Sequence, residues 1–562
     1  MNMNLRTSLA LLGGGGLAIY TLFFASSYDH RILTLSGIYV ILVLGYQFIF
    51  GHAGALSLAQ GAFFGVGAYT TGILGSQYGA EFLITFPLSI ALAAAFAALV
   101  AMPVLRLKTH YFALATLALS QLLLLIAVNW EPVTGGANGL PGVPPITIFG
   151  MAFTRGLPLL LFVWGLVGIA ILVAYWQLRG GRIAAFTVMR ETPLAAPAFG
   201  IDTGLLRLRA FLLSAAFGGA AGALFVHTNR VVSPETLGFG VMITCLTMTV
   251  VGGRFGLLGA VIGALLLTHL PEWFRGLDEY YLVAVGVLLL AAVVFAPNGI
   301  VALLLPDRPQ PPRQQAPAKP VTGATTPVPN TGIDARNLGK SYGGVRALNS
   351  VDLRFGPGEI VGVIGPNGAG KTTLANALTG LTALDDGTVM FNGKDTTRAP
   401  AHTIARAGLT RTFQTPQLPD ALTVRQVIET AQIANSQAPD AADVLHQLGI
   451  SAEADTPCGT LAHGLRRRVE IARAIATRPA MLVLDEPAAG LSPEEQAEIA
   501  ETCKTLAASG LGILLIDHNI AFLTPCATRM ICMAAGRIIA DGTPAQTLAD
   551  PAVRDAYFGM TA

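Results

Sequence analysis

Residues 365–373 read Gly365-Pro366-Asn367-Gly368-Ala369-Gly370-Lys371-Thr372-Thr373 and follow the apolar run Ile360–Ile364. The spacing of the glycines, the lysine and the threonine matches a phosphate-binding loop that joins a strand to a helix. Glycines let backbone N–H groups wrap phosphates, and the helix N-terminus adds a favourable dipole. We expect Lys371 to neutralise phosphate charge and the Thr372 hydroxyl to bind Mg²⁺. The loop predicts a nucleotide site.

Two further apolar runs end in residues suited to nucleotide hydrolysis. Met481–Leu484 is followed by Asp485 and Glu486, and the run Ile513–Ile516 is followed one residue later by His518. We expect Asp485 to hold Mg²⁺ through water, Glu486 to act as general base, and His518 to contact the γ-phosphate. The alternative for a lone histidine is a surface or capping role. The order of the three motifs predicts an α/β P-loop hydrolase domain.

The composition of the whole chain is too apolar for a soluble protein. Of 562 residues, 53% are hydrophobic and 12% are charged, which indicates membrane spans. Residues 1–305 carry 13 Lys/Arg and 9 Asp/Glu, so the apolar excess lies in the first half. A net charge of +2 without a basic cluster argues against a nucleic-acid partner. The five cysteines lack metal-site spacing, and we expect buried free thiols.

Apolar runs long enough, or nearly long enough, to cross a bilayer recur about ten times in the first half. Several of these runs are short and glycine-rich, which favours half-helices or a re-entrant pair for some of them. An alternative for the first run is a signal peptide, because Arg6 precedes it. The runs are 8–25, 32–50, 61–76, 82–102, 111–128, 158–178, 209–227, 241–251, 256–270 and 281–297.

The placement of Lys and Arg in short loops predicts the orientation of these spans. Threading ten spans from a cytoplasmic N-terminus puts nine basic residues inside and four outside, which agrees with the positive-inside tendency. The chain after residue 297 then lies in the cytoplasm. Glycine pairs at spacing four, Gly61/Gly65, Gly218/Gly222 and Gly259/Gly263, favour close helix packing and identify no substrate path.

The longest predicted inside loop, residues 179–208, contains a candidate docking helix. We expect a short amphipathic helix from about Val188 to Phe199, which includes Arg190 and Glu191 and stops at Gly200. The alternative is a solvated loop.

A proline-rich stretch divides the chain into predicted domains. Residues 306–332 hold eight prolines and few bulky apolar side chains, as expected for an extended tether. The prediction is an all-α polytopic membrane domain at 1–305, this linker, and the α/β P-loop domain at 333–562.

Residues 333–560 resemble the ATPase subunit of an ABC transporter, and in particular that of Liv-type branched-chain amino-acid importers. The matching motifs are KSYGGVRAL at 340–348, RTFQ ending at Gln414, DEPAAGLSP from Asp485, His518, and the tail GTPAQTLADPAVRDAYFG. The resemblance implies ATP and Mg²⁺ as cofactors, with Tyr342 stacking on adenine and Gln414 reaching the metal and water.

The membrane half resembles the M-type permease of the same importers. The matching stretches are GHAGALSLAQGAFFGVGAYT at 51–70, TGGANGLPGVP at 134–144 and AFGIDTGLLRLRAFLLSAAFGGAAGAL at 198–224. The family's coupling helix falls on the docking helix predicted above. Discontinuous helices mark transport paths, and 51–72 is our candidate path. Phe63, Phe64 and Tyr69 are candidate lining residues, and ordinary bundle packing is the alternative.

The sequence departs from the family's pattern in the signature loop, which reads Leu461-Ala462-His463-Gly464-Leu465. Ala462 replaces the serine whose hydroxyl reaches the γ-phosphate of ATP on the opposite ATPase. One charge-assisted hydrogen bond is therefore missing from that composite site. We hypothesise unequal ATP sites when the chain pairs with a different ATPase. A second departure is Ser492 in place of a D-loop aspartate.

The resemblance implies an ATP-driven importer in the cytoplasmic membrane. Its expected partners are a second permease, a second ATPase and an extracytoplasmic substrate-binding protein. Branched-chain amino acids are the first substrate class, and urea, amides and aromatic acids are alternatives within the family. An exporter half-transporter is a further alternative, disfavoured by inside loops of about 30 residues at most. A regulatory ATPase without transport leaves the apolar spans unexplained.

Overall fold

The chain divides into two compact units. One comprises Met1–Arg182 with Gly204–Pro309, and the other comprises Ile183–Thr203 with Gln310–Ala562. The computed structural model describes residues 21, 25–107, 109–273, part of 280–304, 332–433 and 440–558. Nearly all of the predicted span at 8–25, much of the run at 281–297 and the linker up to residue 331 lie outside the described residues.

The first unit is helical, with two pairs of short, two- or three-residue strands and turns between its helices. The apolar runs of the sequence form these helices because a helix satisfies every backbone group inside the segment, which hydrocarbon requires. Its helices are α1 (Ser27–Tyr46, continued by a π-helix Gln47–His52), α2 (Gln60–Tyr78), α3 (Phe82–Val104), α4 (Thr109–Asn129), α5 (Glu131–Thr134), α6 (Gly156–Leu178), α8 (Thr203–Asn229), α9 (Phe239–Gly252), α10 (Leu257–Trp273) and α11 (Ile300–Leu304). Its strands are β1 (Leu140–Pro141), β2 (Ile146–Ile148), β3 (Met151–Phe153) and β4 (Val231–Val232). Between α6 and α8 the chain forms α7 (Arg182–Glu191), which belongs to the second unit from Ile183 onward.

Five helices in the described part of the chain are long and apolar enough to cross a membrane. The helices α9 and α10 meet at a bend of 120°, and counting them as one broken span gives up to six. The short runs at 241–251 and 256–270 therefore form the kind of bent pair that their length predicts. The prediction of about ten spans exceeds this number, and it stays a prediction because two of the runs fall largely outside the described residues.

The bend between α9 and α10 is held by the π-helix that follows α1. The side-chain amide of Gln47 donates to the carbonyl oxygens of Gly253 at 2.8 Å and Gly256 at 3.0 Å. A Cβ added at Gly51 would overlap the carbonyl of Arg254. Broken helices are tolerated at membrane depth only where other groups satisfy the freed carbonyls, and Gln47 supplies that bond here.

Two of the three glycine pairs predicted from spacing include a glycine at a close contact between helices, whereas Gly61 and Gly65 face Gly238 and Leu237. A Cβ at Gly222 would overlap the carbonyl oxygen of Phe64, and one at Gly263 would overlap the carbonyl of Met248. Phe63 and Phe64 are buried and pack edge-on against aromatic rings of α8. Their environment is that of ordinary bundle packing, the alternative to a role in lining a path.

The second unit contains a mainly parallel six-stranded sheet and a four-stranded antiparallel sheet. The strands of this unit are β5 (Ile333–Tyr342), β6 (Val345–Phe355), β7 (Ile360–Ile364), β8 (Asp386–Phe391), β9 (Lys394–Asp395), β10 (Leu409–Arg411), β11 (Met481–Asp485), β12 (Gly512–Ile516), β13 (Arg529–Ala534) and β14 (Arg537–Gly542). The six-stranded sheet has the order β10-β11-β12-β7-β13-β14, and within it β14 is antiparallel to its neighbour while the other neighbouring strands are parallel. The four-stranded sheet has the order β6-β5-β8-β9.

The central strands β7, β11 and β12 are buried along their whole length, as their continuous apolar sequences predict for a parallel sheet covered by helices. The predicted α/β fold of the second half is confirmed. All five cysteines are buried free thiols, as expected. The helices are α12 (Lys371–Leu378), α13 (Ala401–Arg406), α14 (Val424–Gln432), α15 (Ala441–Gln447), α16 (His463–Ala476), α17 (Pro493–Ala508), α18 (Ile520–Leu523), α19 (Pro544–Ala549) and α20 (Pro551–Phe558).

The contact at Gly222 yields a stability prediction for the first unit. We expect Gly222→Ala to force α2 and α8 apart and to destabilise the unit by ~1–3 kcal/mol, the usual cost of overpacking. Gly165→Ala in α6 is the matched control, because a Cβ there meets no atom within 4 Å. Thermal unfolding in detergent, followed by size-exclusion chromatography, measures both variants. Equal melting temperatures for the two would contradict the close approach.

Candidate active site

The loop at 365–373 has the strand-before, helix-after placement that its sequence predicts. It leaves β7 at Ile364 and opens α12 at Lys371. Gly365 and Gly370 have φ values of 151° and 102°, and Cβ atoms there would overlap the carbonyls of Met533 and Ala347. Glycine is required at both positions because the neighbouring backbone fills the space of a side chain.

The Lys371 ammonium is turned back onto its own loop. Its Nζ donates to the carbonyl oxygens of Gly365 at 2.6 Å and Pro366 at 3.1 Å. Burial lowers the pKa of Lys371, and the negative charges of Glu486 and Asp485 oppose that shift. The lysine and the two acids thus face the same small volume at the ends of the parallel strands.

Glu486 is the residue at which three predicted catalytic side chains meet. It has a left-handed φ of 48°, and its N–H donates to the carbonyl of Ile516 at 2.7 Å. The amide Nε2 of Gln414 donates to the Glu486 carboxylate at 3.0 Å, and His518 Nδ1 lies 3.9 Å from the same oxygen. The sequence places these residues up to 104 positions apart, and the fold brings them together.

Asp485 is held differently from its neighbour. Its carboxylate accepts from Arg411 Nη2 at 2.9 Å, and both side chains are at most 3% exposed. Burial raises the pKa of Asp485, and the positive charge of Arg411 opposes the shift. Sequence reasoning did not find Arg411, although it begins the RTFQ motif, because an arginine at a strand end gives no sign of its partner.

The donor set around Asp485 suits Mg²⁺ in chemical type. Asp485, the Thr372 hydroxyl and the Gln414 amide oxygen are hard oxygen ligands, which Mg²⁺ prefers together with phosphate oxygens and water. Among the described residues there is no cluster of three or more His, Cys, Asp or Glu able to hold a metal alone. A site completed by nucleotide phosphates is consistent with that arrangement.

Helix α16 carries a row of charged residues that sequence reasoning missed. Arg467, Glu470 and Arg473 are all 0% exposed. Arg467 donates to the carbonyls of Phe413, Gln414 and Glu486 at 2.6, 2.6 and 2.9 Å. The sequence feature that could have revealed this row is that the three charged residues lie three positions apart, which puts them on one face of the helix. That spacing is equally typical of a solvated face, so only burial distinguishes the two.

The signature loop lies at the start of α16. Ala462 is the N-cap residue, with φ −61° and ψ 156°, and it provides no side-chain cap. His463 Nε2 lies 3.3 Å from the carbonyl of Ala489. Ser492, the other departure from the family's pattern, caps α17 through a capping box with Glu495. The serine therefore has a local structural role.

Tyr342 ends β5 with 47% of its side chain exposed. Its hydroxyl donates to the hydroxyl oxygen of Thr382 at 3.3 Å, and the Lys340 ammonium lies 5.6 Å from the ring centroid. An exposed ring in this position is compatible with adenine stacking, which stays a prediction.

The docking helix predicted at Val188–Phe199 has different bounds. Helix α7 ends at Glu191, and a separate 3₁₀ turn spans Ala196–Phe199. The prediction of one helix was wrong because Pro193 disfavours helical geometry in the residue before it. The stop is confirmed, since Gly200 has a left-handed φ of 71°.

We call residues 183–203 the coupling segment; it belongs to the same compact unit as the P-loop domain. Val188 and Phe199 are buried. Glu191 pairs with Arg190 at 2.9 Å and accepts the N–H of Ala421 at 3.2 Å. The Gly200 carbonyl accepts from Arg406 Nε at 2.7 Å. The segment is therefore packed on the P-loop domain, which contradicts the solvated-loop alternative.

Family comparisons match both halves of the chain. Residues 30–293 match the model described as "Branched-chain amino acid transport system / permease component". Residues 348–489 match "ABC transporter", and residues 537–559 match "Branched-chain amino acid ATP-binding cassette transporter". The permease protein LivM of Escherichia coli is 32% identical over 314 residues, which cover 52% of this chain and 74% of LivM.

The chain belongs to the branched-chain amino-acid family of ABC transporters. As a member of this family it is a multi-pass membrane protein whose ABC ATPase domain binds nucleotide and hydrolyses ATP in support of transport.

Two relatives of the ATPase half differ in the transport that their names describe. LivG of Escherichia coli, a branched-chain amino-acid transport ATP-binding protein, is 37% identical over 248 residues, 40% of this chain and 97% of LivG. LptB of Haemophilus influenzae, a lipopolysaccharide export ATP-binding protein, is 36% identical over 233 residues, 40% of this chain and 97% of LptB. The ATPase half of this ABC transporter does not by itself distinguish the two directions of transport.

The geometry at Glu486 predicts a separation of ATP hydrolysis from ATP binding. We expect Glu486→Gln to lower hydrolysis ~10²–10⁴-fold, the usual contribution of a general base, and to leave nucleotide affinity nearly unchanged. Glu501→Gln is the matched control, since its side chain is 70% exposed and its carboxylate pairs with Lys504 on the same helix. Phosphate release and fluorescent-nucleotide binding measure the two properties. Normal hydrolysis by Glu486→Gln would remove it from the catalytic role.

Proposed function

We propose that this chain is the fused permease and ATPase subunit of an ATP-driven importer. Its cargo is a branched-chain amino acid or a related small polar solute, which it moves across the cytoplasmic membrane. The observation that carries the proposal is the agreement of two separate halves, because the permease model at 30–293 and the tail model at 537–559 both name branched-chain amino acids.

The permease half supports import more directly than the ATPase half. LptB is about as similar to the ATPase half as LivG is, so an ATPase comparison leaves the direction open. LivM, a permease protein, matches the other half over 74% of its own length. The exporter half-transporter is the weaker candidate for this reason. Urea, amides and aromatic acids remain the alternative cargo.

The proposed division of labour follows the predicted domains. Residues 1–305 form the permease, 306–332 the linker, and 333–562 the ATP-binding domain. Residues 365–373 hold the phosphates, Tyr342 stacks on adenine, and Thr372, Gln414 and Asp485 would hold Mg²⁺. Mg²⁺ would neutralise phosphate charge there. Glu486 takes the proton of the attacking water, and His518 contacts the γ-phosphate.

One chain supplies one permease and one ATPase, so the working transporter needs a second permease and a second ATPase. We expect unlike partner subunits, together with a substrate-binding protein outside the membrane that sets the specificity. The coupling segment transmits ATPase closure to the permease. Its packing on the P-loop domain, through Gly200 and Glu191, supports this role.

The two ATP sites of such a heteromeric complex are unequal in this proposal. The uncapped start of α16 at Ala462 supports it, because the loop offers backbone donors and no hydroxyl to the nucleotide on the partner ATPase. The site built on Lys371, Glu486 and His518 uses the partner's signature loop and is the competent one.

The substrate class is tested by ligand binding and uptake. We expect leucine, isoleucine or valine to raise the melting temperature of the binding protein that co-purifies with this chain. The same solute should accumulate in proteoliposomes with ATP on the cytoplasmic side. A shift only with urea, an amide or an aromatic acid would move the cargo to that class. Absence of a co-purifying binding protein, or ATP-driven efflux, would overturn the importer.

Restoring the missing hydroxyl tests the inequality of the ATP sites. We expect Ala462→Ser to raise ATP hydrolysis by the assembled complex roughly twofold, because a charge-assisted bond makes the second site competent. Ala462→Gly is the control, since glycine also suits an N-cap but brings no hydroxyl. An unchanged rate for Ala462→Ser, or an equal rise in both variants, would contradict the hypothesis.

A further inference from the structure

Arg473 lies between the coupling segment and the nucleotide-binding strands, inside the second unit. Its Nη1 donates to the carbonyl of Ala198 at 3.3 Å, and its guanidinium carbon lies 4.7 Å from the centroid of the Phe199 ring. On its other side, Nη2 donates to the carbonyl of Arg411 at 2.9 Å. The side chain is 0% exposed, and its two Nη groups are hydrogen-bonded while its Nε has no hydrogen-bond partner among the described residues.

Arg411 extends the same set of contacts to the catalytic strand and to the phosphate-binding loop. Its Nη2 donates to Asp485 at 2.9 Å, and its Nη1 donates to the Asn376 side chain on α12. Helix α12 begins at Lys371. A displacement of the Arg411 backbone therefore acts on the acid that ends β11 and on the helix that follows the phosphate-binding loop.

The remaining charges of the α16 row connect this helix to the general base. Glu470 accepts from the N–H groups of Phe413 and Gln417 at 3.0 and 3.4 Å, and from Arg467 at 3.0 Å. Arg467 in turn donates to the carbonyl of Glu486. One 14-residue helix carries the three charged residues. A movement of Arg473 along the axis of this helix therefore also moves the hydrogen bonds of Arg467 and Glu470.

We propose that Arg473 is the positioning residue through which the coupling segment controls the ATP site. Phe199 and the Ala198 carbonyl hold the guanidinium, and Arg473 holds Arg411 where its side chain orients Asp485 and Asn376. The inference rests on the proposed function only in giving residues 183–203 the coupling role. It names the residue that receives their movement.

The physical basis is that a buried charge is stable only when it is paired and hydrogen-bonded. Withdrawal of Ala198 and Phe199 leaves one Nη group without an acceptor and removes the aromatic face. The guanidinium then has to move toward other acceptors and takes the Arg411 backbone with it. Arginine suits this position because its planar fork donates in two directions at once, which an ammonium cannot reproduce.

Phe199→Ala is the first test, because it removes the aromatic face and leaves every residue of the ATP site in place. In the full-length chain assembled with its partner subunits, we expect turnover of ATP hydrolysis to fall roughly tenfold, as for loss of a desolvated cation–π contact. Affinity for a fluorescent ATP analogue should stay within about twofold, since Phe199 contacts Arg473 and not the phosphate-binding loop. The matched control is Leu194→Ala, an apolar truncation in the same segment at a side chain that is 72% exposed, and its turnover should equal that of the parent chain.

Arg473→Lys and the double variant test whether the two residues act as one unit. We expect Arg473→Lys to lower turnover, and the double variant to be no slower than the slower single variant, because both changes break the same connection. A double variant whose loss of turnover equals the product of the two single losses would overturn the proposal. A loss of nucleotide affinity equal to the loss of turnover would also overturn it. If Arg473→Lys fails to fold, Phe199→Ala with normal turnover is still sufficient to overturn it.

Hydrogen exchange provides a readout that a purely structural role would not change. In the parent complex we expect protection of residues 194–203 to differ between the nucleotide-free state and the state trapped with ATP and vanadate. This difference should disappear in Arg473→Lys, whereas the protection of β11 and β12 should not change. Retention of the nucleotide-dependent difference would overturn the proposal. None of these measurements uses a transported solute, so a wrong cargo or a wrong direction of transport leaves the outcome interpretable.

Discussion

The ion pair between Arg411 and Asp485 is the constraint around which the ATP site is arranged. Both side chains are almost wholly out of water, and breaking such a pair by removing one partner typically costs ~3–5 kcal/mol. Arg411 also donates to Asn376 and to the carbonyl of Thr412 at 3.0 Å. The pair thus fixes the end of β11 relative to β10 and to α12, and Glu486 follows directly at a strained backbone position.

A second layer of buried charge surrounds this pair. Arg467, Glu470 and Arg473 present their side chains from α16 to the backbone of residues 411–417 and of Glu486. Most of these bonds go to carbonyl and amide groups, which have no other way to be satisfied away from water. The arrangement makes the segment around Gln414 dependent on α16 on one side and on the coupling segment on the other. A site of this kind responds to movement at its edge because its polar groups have few alternative partners.

The membrane unit depends on a different interaction. Inside a bilayer the hydrophobic effect does not drive helices together, because lipid tails are as apolar as the side chains. Close packing and hydrogen bonds therefore hold the helices together. Gly67 and Gly222 bring α2 and α8 so close that a side chain at either position would overlap a backbone atom of the other helix. A side chain at Gly219 would meet the Ser89 carbonyl oxygen of α3. Gln47 adds the hydrogen bonds that the broken pair α9 and α10 requires.

Local sequence alone was enough to predict the strand Ile360–Ile364, the loop at 365–373, the two acids at the end of β11 and the stop at Gly200, because each depends on neighbouring residues and on backbone geometry. The tertiary structure decided the partners of Arg411 and Arg473, which lie 74 and 275 positions along the chain from Asp485 and Ala198. It also decided that the charges of α16 face the interior. The physical reason is that burial and long-range pairing depend on which surfaces meet, and a local pattern of residues does not contain that information.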